Sequence, residues 1–169
     1  LEIAVATLFP TVARGESVEL AVQWADANAS ATNWQELVIQ FHDNASSRDS
    51  LGLAYNHGIG VRTVKRLNNS GSNQGAVQTT PSSTPPTLMS VRLIGDNFGE
   101  GFFANTGALG APLTGTFVAR PELVTTETGA GGIDITAARI RITAGSHSST
   151  GWPPKLEKIR VSWWPKVTT

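Results

Sequence analysis

The chain has 169 residues, with 13 basic and 13 acidic side chains and a formal net charge of zero at pH 7. That balance argues against a general nucleic-acid binder, which carries a basic excess, and against electrostatic docking on anionic membranes. The sequence has no cysteine, which excludes disulfides, thiolate catalysis and cysteine-ligated metals. No apolar run approaches the roughly 20 residues that span a bilayer, so no membrane insertion is expected.

The length suits one domain over residues 1–169, and a chain of this size buries enough surface to fold without staples. Charged residues make up 15%, against a usual value of about 25%. Ser and Thr together number 33 and Gly adds 17, a mixture that favours strands joined by many turns over a helical bundle. The chain opens on Leu1 with no basic run, as expected of a processed or excised module.

Apolar residues recur with period two, the spacing of strands that bury one face. A first strand is expected over Ile3–Phe9. Val18, Leu20, Val22 and Trp24 then alternate with Ser17, Glu19, Ala21 and Gln23. The stretch 25–33 reads as a loop, and Leu37, Ile39 and Phe41 as the next strand. Leu51, Leu53 and Tyr55 repeat the pattern. Residues 68–86, rich in Ser, Thr, Asn and Gly, are expected to form a long surface loop. Met89, Val91 and Leu93 follow, and Gly95-Asp96-Asn97 reads as a hairpin turn. Phe117 marks a short strand, and Gly129–Gly132 a further loop. Ile133 and Ile135 are out of phase with Ile140 and Ile142, which predicts a bulge near Ala137–Ala138. Ile159, Val161 and Trp163 close the series. The pattern predicts an all-β, two-sheet antiparallel sandwich of jelly-roll type with about ten or more strands.

Sugars stack their C–H faces on exposed flat rings, so the tryptophans are the leading candidates for ligand platforms. Trp24 and Trp163 fall at inward strand positions and are assigned to the core. Trp34, Trp152 and Trp164 lie before a strand, in a Pro-bearing turn and opposite Trp163, and are the candidate exposed platforms, against the simpler account that each packs a loop on the sandwich. Arg62, Arg66, Arg92, Arg139, Arg141 and Arg160 alternate with apolar residues and belong on outer sheet faces. There they offer planar donors to an acidic polysaccharide, or simply a solvated face that discourages edge pairing. Asp43, Asn44 and Asp49 would give three of the six to eight oxygens that Ca2+ takes. Their spacing does not match the EF-hand loop, and turn formation is the simpler account of them. His42, His57 and His147 have no zinc-binding spacing. There is no nucleophile elbow, no phosphate-binding loop and no run of alternating carboxylates, so no catalytic residue is assigned and no enzyme is expected.

Leu51-Gly-Leu-Ala-Tyr55, Gly60-Val-Arg-Thr-Val-Lys-Arg-Leu67 and Ser90-Val-Arg-Leu-Ile-Gly95 with Phe98–Asn105 resemble the middle of concanavalin A-like (laminin-G-like) jelly-roll domains. The segments Ala138–Ala144 and Lys158–Trp164 match their closing strands, so the resemblance spans about residues 37–164. It implies two antiparallel sheets and a role in glycan binding on a concave face or rim. The matching positions are Tyr55, Arg62, Arg92 and Asn105, with Trp152 on a loop. The family's catalytic carboxylate motif has no counterpart here, so hydrolysis is not carried over.

Together these readings lead to a non-catalytic carbohydrate-binding, lectin-like module on a secreted or surface protein. Its partner is a glycan or polysaccharide, and Trp34, Tyr55, Arg62, Arg92, Asn105 and Trp152 are its candidate ligand-binding residues. The alternative is a structural β-sandwich subunit of an assembly, such as a virion coat, decoration or fibre protein, whose partners are copies of itself or other coat subunits. Either places the chain outside the cell or on the surface of a cell or particle. No cofactor is required by either, with Ca2+ the sole candidate.

Overall fold

The computed structural model describes residues 1–25, 35–43, 50–56, 60–67, 70–77, 88–95, 98–104, 117–118, 133–146 and 155–166. The strands are β1 (Glu2–Ala4), β2 (Ser17–Ala25), β3 (Gln35–His42), β4 (Ser50–Asn56), β5 (Gly60–Leu67), β6 (Ser70–Val77), β7 (Leu88–Ile94), β8 (Phe98–Ala104), β9 (Phe117–Val118), β10 (Arg139–Ser146) and β11 (Lys155–Trp164), with one helical turn, α1 (Val5–Leu8). They form an all-β sandwich of two antiparallel sheets, ordered β1-β10-β3-β4-β5-β6 and β11-β2-β7-β8-β9.

Alternation builds the core. In the five-stranded sheet Val18, Leu20, Val22 and Trp24 sit opposite or beside Met89, Val91 and Leu93, and all are buried. In the six-stranded sheet the row Ile140, Phe41, Leu51 and the row Ile142, Ile39, Leu53 are buried in the same cluster. The two sheets meet ring to ring where Trp24, 1% exposed, lies 5.0 Å from Tyr55 at a tilt of 49°. Each fully buried aliphatic side chain contributes roughly 1.5–3 kcal/mol, so these rows dominate the stability. The hairpin between β7 and β8 pairs Ile94 with Phe98, and Gly95 takes a φ of +61° that favours glycine.

Several expectations are corrected. The first strand stops at Ala4, and Val5–Leu8 coil into α1. The change from period two to a helical turn lets Val5 and Phe9, four residues apart, both reach the core. The amide of Phe9 donates to the carbonyl of Val5, and that of Val5 to Ala138. Part of the expected 68–86 loop is β6, which hairpins back on β5. Its sequence shows no alternation because an edge strand of Ser, Gly and Asn draws its pairing from the backbone ladder. Register shifts mark irregularities on both sides of its middle. Residues 78–87 lie outside the described residues. The phase change after Ile135 is a turn rather than a bulge. Asp134 accepts the Thr136 amide at 2.9 Å and the Thr136 hydroxyl at 2.7 Å, while its carbonyl accepts the Ala137 amide at 3.0 Å. Finally, Ile159 is 43% exposed although it pairs with inward Val22, because β11 is an edge strand whose register shifts beside it.

Candidate functional site

Pairing of β11 with β2 sets Trp163 opposite Val18 and Trp164 opposite Ser17. Successive strand residues face opposite ways, so one indole must enter the core and the other must leave it. Trp163 packs against the core, 5.6 Å from the ring of Phe9, and donates its Nε1–H to Glu16 Oε2 at 2.8 Å. Trp164 stands on the outer face, 42% exposed.

Beside it the register places Ser162, Glu19 and Arg92 in one row across β11, β2 and β7. Arg92 donates to Glu19 Oε2 at 2.9 Å, and Arg160 to Glu19 Oε1 at 3.0 Å. The Glu19 side chain is only 3% exposed although it belongs to an outer face. One desolvated carboxylate thus holds two guanidinium groups and fixes where Arg92 stands. The guanidinium carbon of Arg92 lies 4.9 Å from the centre of the Trp164 ring, within cation–π range. Ser17, Arg92, Ile94 and Trp164 line an open depression of about 290 Å³.

Glu16 anchors this corner from inside. Its carboxylate accepts the Ala13 amide at 2.8 Å as well as Trp163, and the Lys166 amide at 3.4 Å. The backbone hydrogen bond from Ala13 leads in holding its pKa below the usual carboxylate range; burial opposes it, and the Trp163 and Lys166 bonds assist. The Glu16 carbonyl also accepts the amide of Gly95, which ties the β7–β8 turn to the same corner.

The residues expected from sequence do not assemble here. Arg92 does, on the outer face of the five-stranded sheet. Tyr55 is 3% exposed and packs on Trp24, so it belongs to the core and presents no surface for a ligand. A Tyr at an inward strand position follows the same parity that buries Leu51 and Leu53. Arg62 lies in β5, across from Ala54, in the other sheet. Trp34, Asn105 and Trp152 lie outside the described residues, as do Asn44 and Asp49. Asp43 follows β3, and its carbonyl lies 2.8 Å from His42 Nδ1. Among the described residues no group of three His, Cys, Asp or Glu side chains stands ready to hold a metal ion. Among them, too, no helix is long and apolar enough to cross a membrane.

Sequence reasoning offered Trp164 as a candidate exposed platform without placing it among the ligand-binding residues or linking it to Arg92, and it did not single out Glu19 or Glu16. The Trp163–Trp164 pair inside a strand was the usable signal, since one of two consecutive indoles must face out. Glu19 could not be found this way, because its partners come from strands 73 and 141 residues away.

The arrangement offers a flat apolar ring, a guanidinium fixed beside it, and the Ser17 position at the floor. It can stack an apolar face and donate hydrogen bonds. No protein-family model matches the chain, and no curated protein matches it. Among solved structures, the chain is similar to sheep galectin-11 in a complex with glycerol, at 12% identity and a TM-score of 0.45, over 96% of this chain and 95% of that one.

Proposed function

We propose that this chain is a non-catalytic, lectin-like carbohydrate-binding module of jelly-roll type, part of an extracellular or surface protein, and that it meets its glycan at Trp164 and Arg92. The observation that carries the reading is the exposed Trp164 indole, flanked by a guanidinium that Glu19 holds in place. A pyranose has an apolar C–H face and a rim of hydroxyls. The first suits the electron-rich face of an indole, and the second suits the Arg92 donors. A preset donor costs little ordering entropy on binding. The test is a titration of intrinsic tryptophan fluorescence with neutral polysaccharides, after a glycan array. Trp164→Ala should lower affinity by about tenfold or more. A wild-type protein silent on the array, or a Trp164→Ala variant that binds as well as wild type, overturns the reading.

A second reading has one observation in its favour. The ten-residue strand β11 lies at the end of its sheet and exposes Ile159. Such an edge suits strand addition between subunits of a coat, decoration or fibre assembly. Light scattering across a concentration series separates the two: a monomer mass near 18 kDa throughout supports the module, and a closed oligomer supports the assembly.

A further inference from the structure

The depression at Trp164 lies where two strands end. β11 stops at Trp164, paired with Ser17, and the next residue, Pro165, has no N–H to carry the ladder on. β7 stops at Ile94, and Gly95 turns the chain toward β8. Strand ends open locally unless further bonds tie them down. Here one residue ties both.

Glu16 directly precedes β2. Its Oε2 accepts the Trp163 Nε1–H at 2.8 Å and its Oε1 the Lys166 amide at 3.4 Å, so the carboxylate grips the chain on either side of Trp164. Its carbonyl accepts the Gly95 amide at 3.0 Å, next to Ile94, and its own peptide bond leads into Ser17. Three of the four residues that line the depression are therefore placed through Glu16; Arg92, the fourth, is placed by Glu19. The carboxylate is itself preset. It accepts the Ala13 amide at 2.8 Å, while the Glu16 amide returns to the Ala13 carbonyl at 3.3 Å across a turn in which Gly15 takes a φ of +82°. Glu16 is 9% exposed and does not line the depression itself.

Taking Trp164 as the glycan platform, the reading on which this step rests, we propose that Glu16 is its positioning residue: the ionised carboxylate keeps the platform assembled, and its protonation releases the glycan. Ionised, the two oxygens accept three N–H groups. Protonated, one oxygen becomes a donor aimed at groups that can only donate. The bond to Lys166 is the longest of the three, so it yields first and frees residues 164–166 from the corner. The Trp164 ring then leaves its place beside Arg92. Among the described residues the charged groups around Glu16 are Lys166, Arg14 on its own turn, which pairs with Asp134 at 3.8 Å, and Arg92 and Glu19 on the outer faces of β7 and β2. Asp96 lies outside the described residues. The hydrogen bonds from Ala13, Trp163 and Lys166 hold the Glu16 pKa below 4.5 against burial, so the platform is whole above 4.5 and loosens as the pH falls through the lower folded value.

The test follows the indole N–H resonances of Trp163 and Trp164 in the 15N-labelled chain from pH 7 downward, each assigned by its loss in the Trp→Ala variant. Trp163 reports the ionisation of Glu16 directly, through its hydrogen bond. Both resonances should shift below pH 4.5 with one midpoint. In Glu16→Gln the Trp164 resonance should sit at its acid position already at pH 7 and no longer titrate in that window, which separates Glu16 from Glu19. The same variant should bind the neutral polysaccharide of the titration above about fivefold or more weakly at pH 7. A purely structural role moves Trp163 and leaves Trp164 where it was, and that result overturns the proposal. So does a Trp164 resonance that titrates equally in Glu16→Gln. If Glu16→Gln fails to fold, the wild type decides alone: separate midpoints for the two indoles overturn the proposal, and a shared one upholds it. A wild type that binds no glycan defeats the reading of Trp164 as a platform, while the resonances still decide whether Glu16 places the ring.

Discussion

The two outer faces of the sandwich use the same device in opposite ways. On the five-stranded sheet Glu19 lies between Arg92 and Arg160; on the six-stranded sheet Glu2 lies between Arg139 and Arg141. Each is one carboxylate held by two guanidinium groups, from β7 and β11 for Glu19 and both from β10 for Glu2. Their exposure differs: the Glu19 side chain is 3% exposed and that of Glu2 is 35% exposed. The difference sets their roles. A desolvated carboxylate cannot leave without stranding two half-buried cations, so Glu19 fixes the geometry of the Trp164 platform. A wetted one trades partners with solvent and other anions, so the Glu2 cluster is open to exchange.

Removing each carboxylate sharpens this contrast most. Glu19→Ala should cost about 2–3 kcal/mol in urea denaturation, after allowance for the partial exposure of both arginines. Glu2→Ala should shift the same midpoint far less. Equal losses would mean that burial does not separate the two clusters.

The next contrast lies within one dipeptide. Trp163→Ala removes core packing and a hydrogen bond to Glu16, for an expected loss of about 3 kcal/mol. Trp164→Ala removes a half-wetted ring and one contact with Arg92, and should cost about 1 kcal/mol or less. Thermal unfolding of the pair checks the order, and a reversal would put Trp164 in the core.

The middle of the six-stranded sheet comes next. A Cβ added at Gly52 would lie 2.5 Å from the Cβ of Gln40 and would collide with the Ile39 carbonyl. Backbone and a rigid stem must move, so Gly52→Ala should cost about 1–3 kcal/mol and loosen the pairing of β3 with β4. Hydrogen exchange at the β3 amides reads this directly, and wild-type protection there would show that the strands yield freely.

How much of this was visible in the sequence depends on which interaction fixes each element. Val18 to Trp24, Leu37 to Phe41 and Leu51 to Tyr55 were legible because burial of one face writes period two into the chain. The Gly95 turn was legible because its φ calls for glycine. Two segments were misread where a different force decides. Ser70–Val77 forms a strand through its backbone ladder at an edge, and Val5–Leu8 coils because Val5 and Phe9 share a core contact. The Glu19 and Glu2 clusters were illegible for a third reason. Each needs cross-strand register, and no local pattern states which strand lies beside which. Tyr55 shows the converse error, because a resemblance assigned it to a ligand while its parity already pointed inward.

The smallest effect is a graded dependence of stability on pH, and it separates the faces once more. Burial leads in pushing the pKa of His42 below its ordinary 6.5; the Asp43 carbonyl opposes this, and among the neighbouring charges Arg141 and Arg139 assist while Glu2 opposes. The unfolded chain therefore binds this proton more readily than the folded one, and stability rises with pH. The contribution is complete above about 6.5 and declines as the pH falls from there toward the lower folded value. Glu2, held low first by Arg141, and Glu16, held low first by the Ala13 amide, have the same sign in a lower window. Their contributions are complete above 4.5 and are lost as the pH falls through the lower folded values. The midpoint of urea unfolding should thus decline in two stages on acidification. His42→Gln should erase the upper stage alone, and Glu16→Gln should reduce the lower one. A midpoint that rises between pH 6.5 and 5.5 would mean that His42 gains its charge on folding, and so that Glu2, rather than burial and the two arginines, controls the six-stranded face.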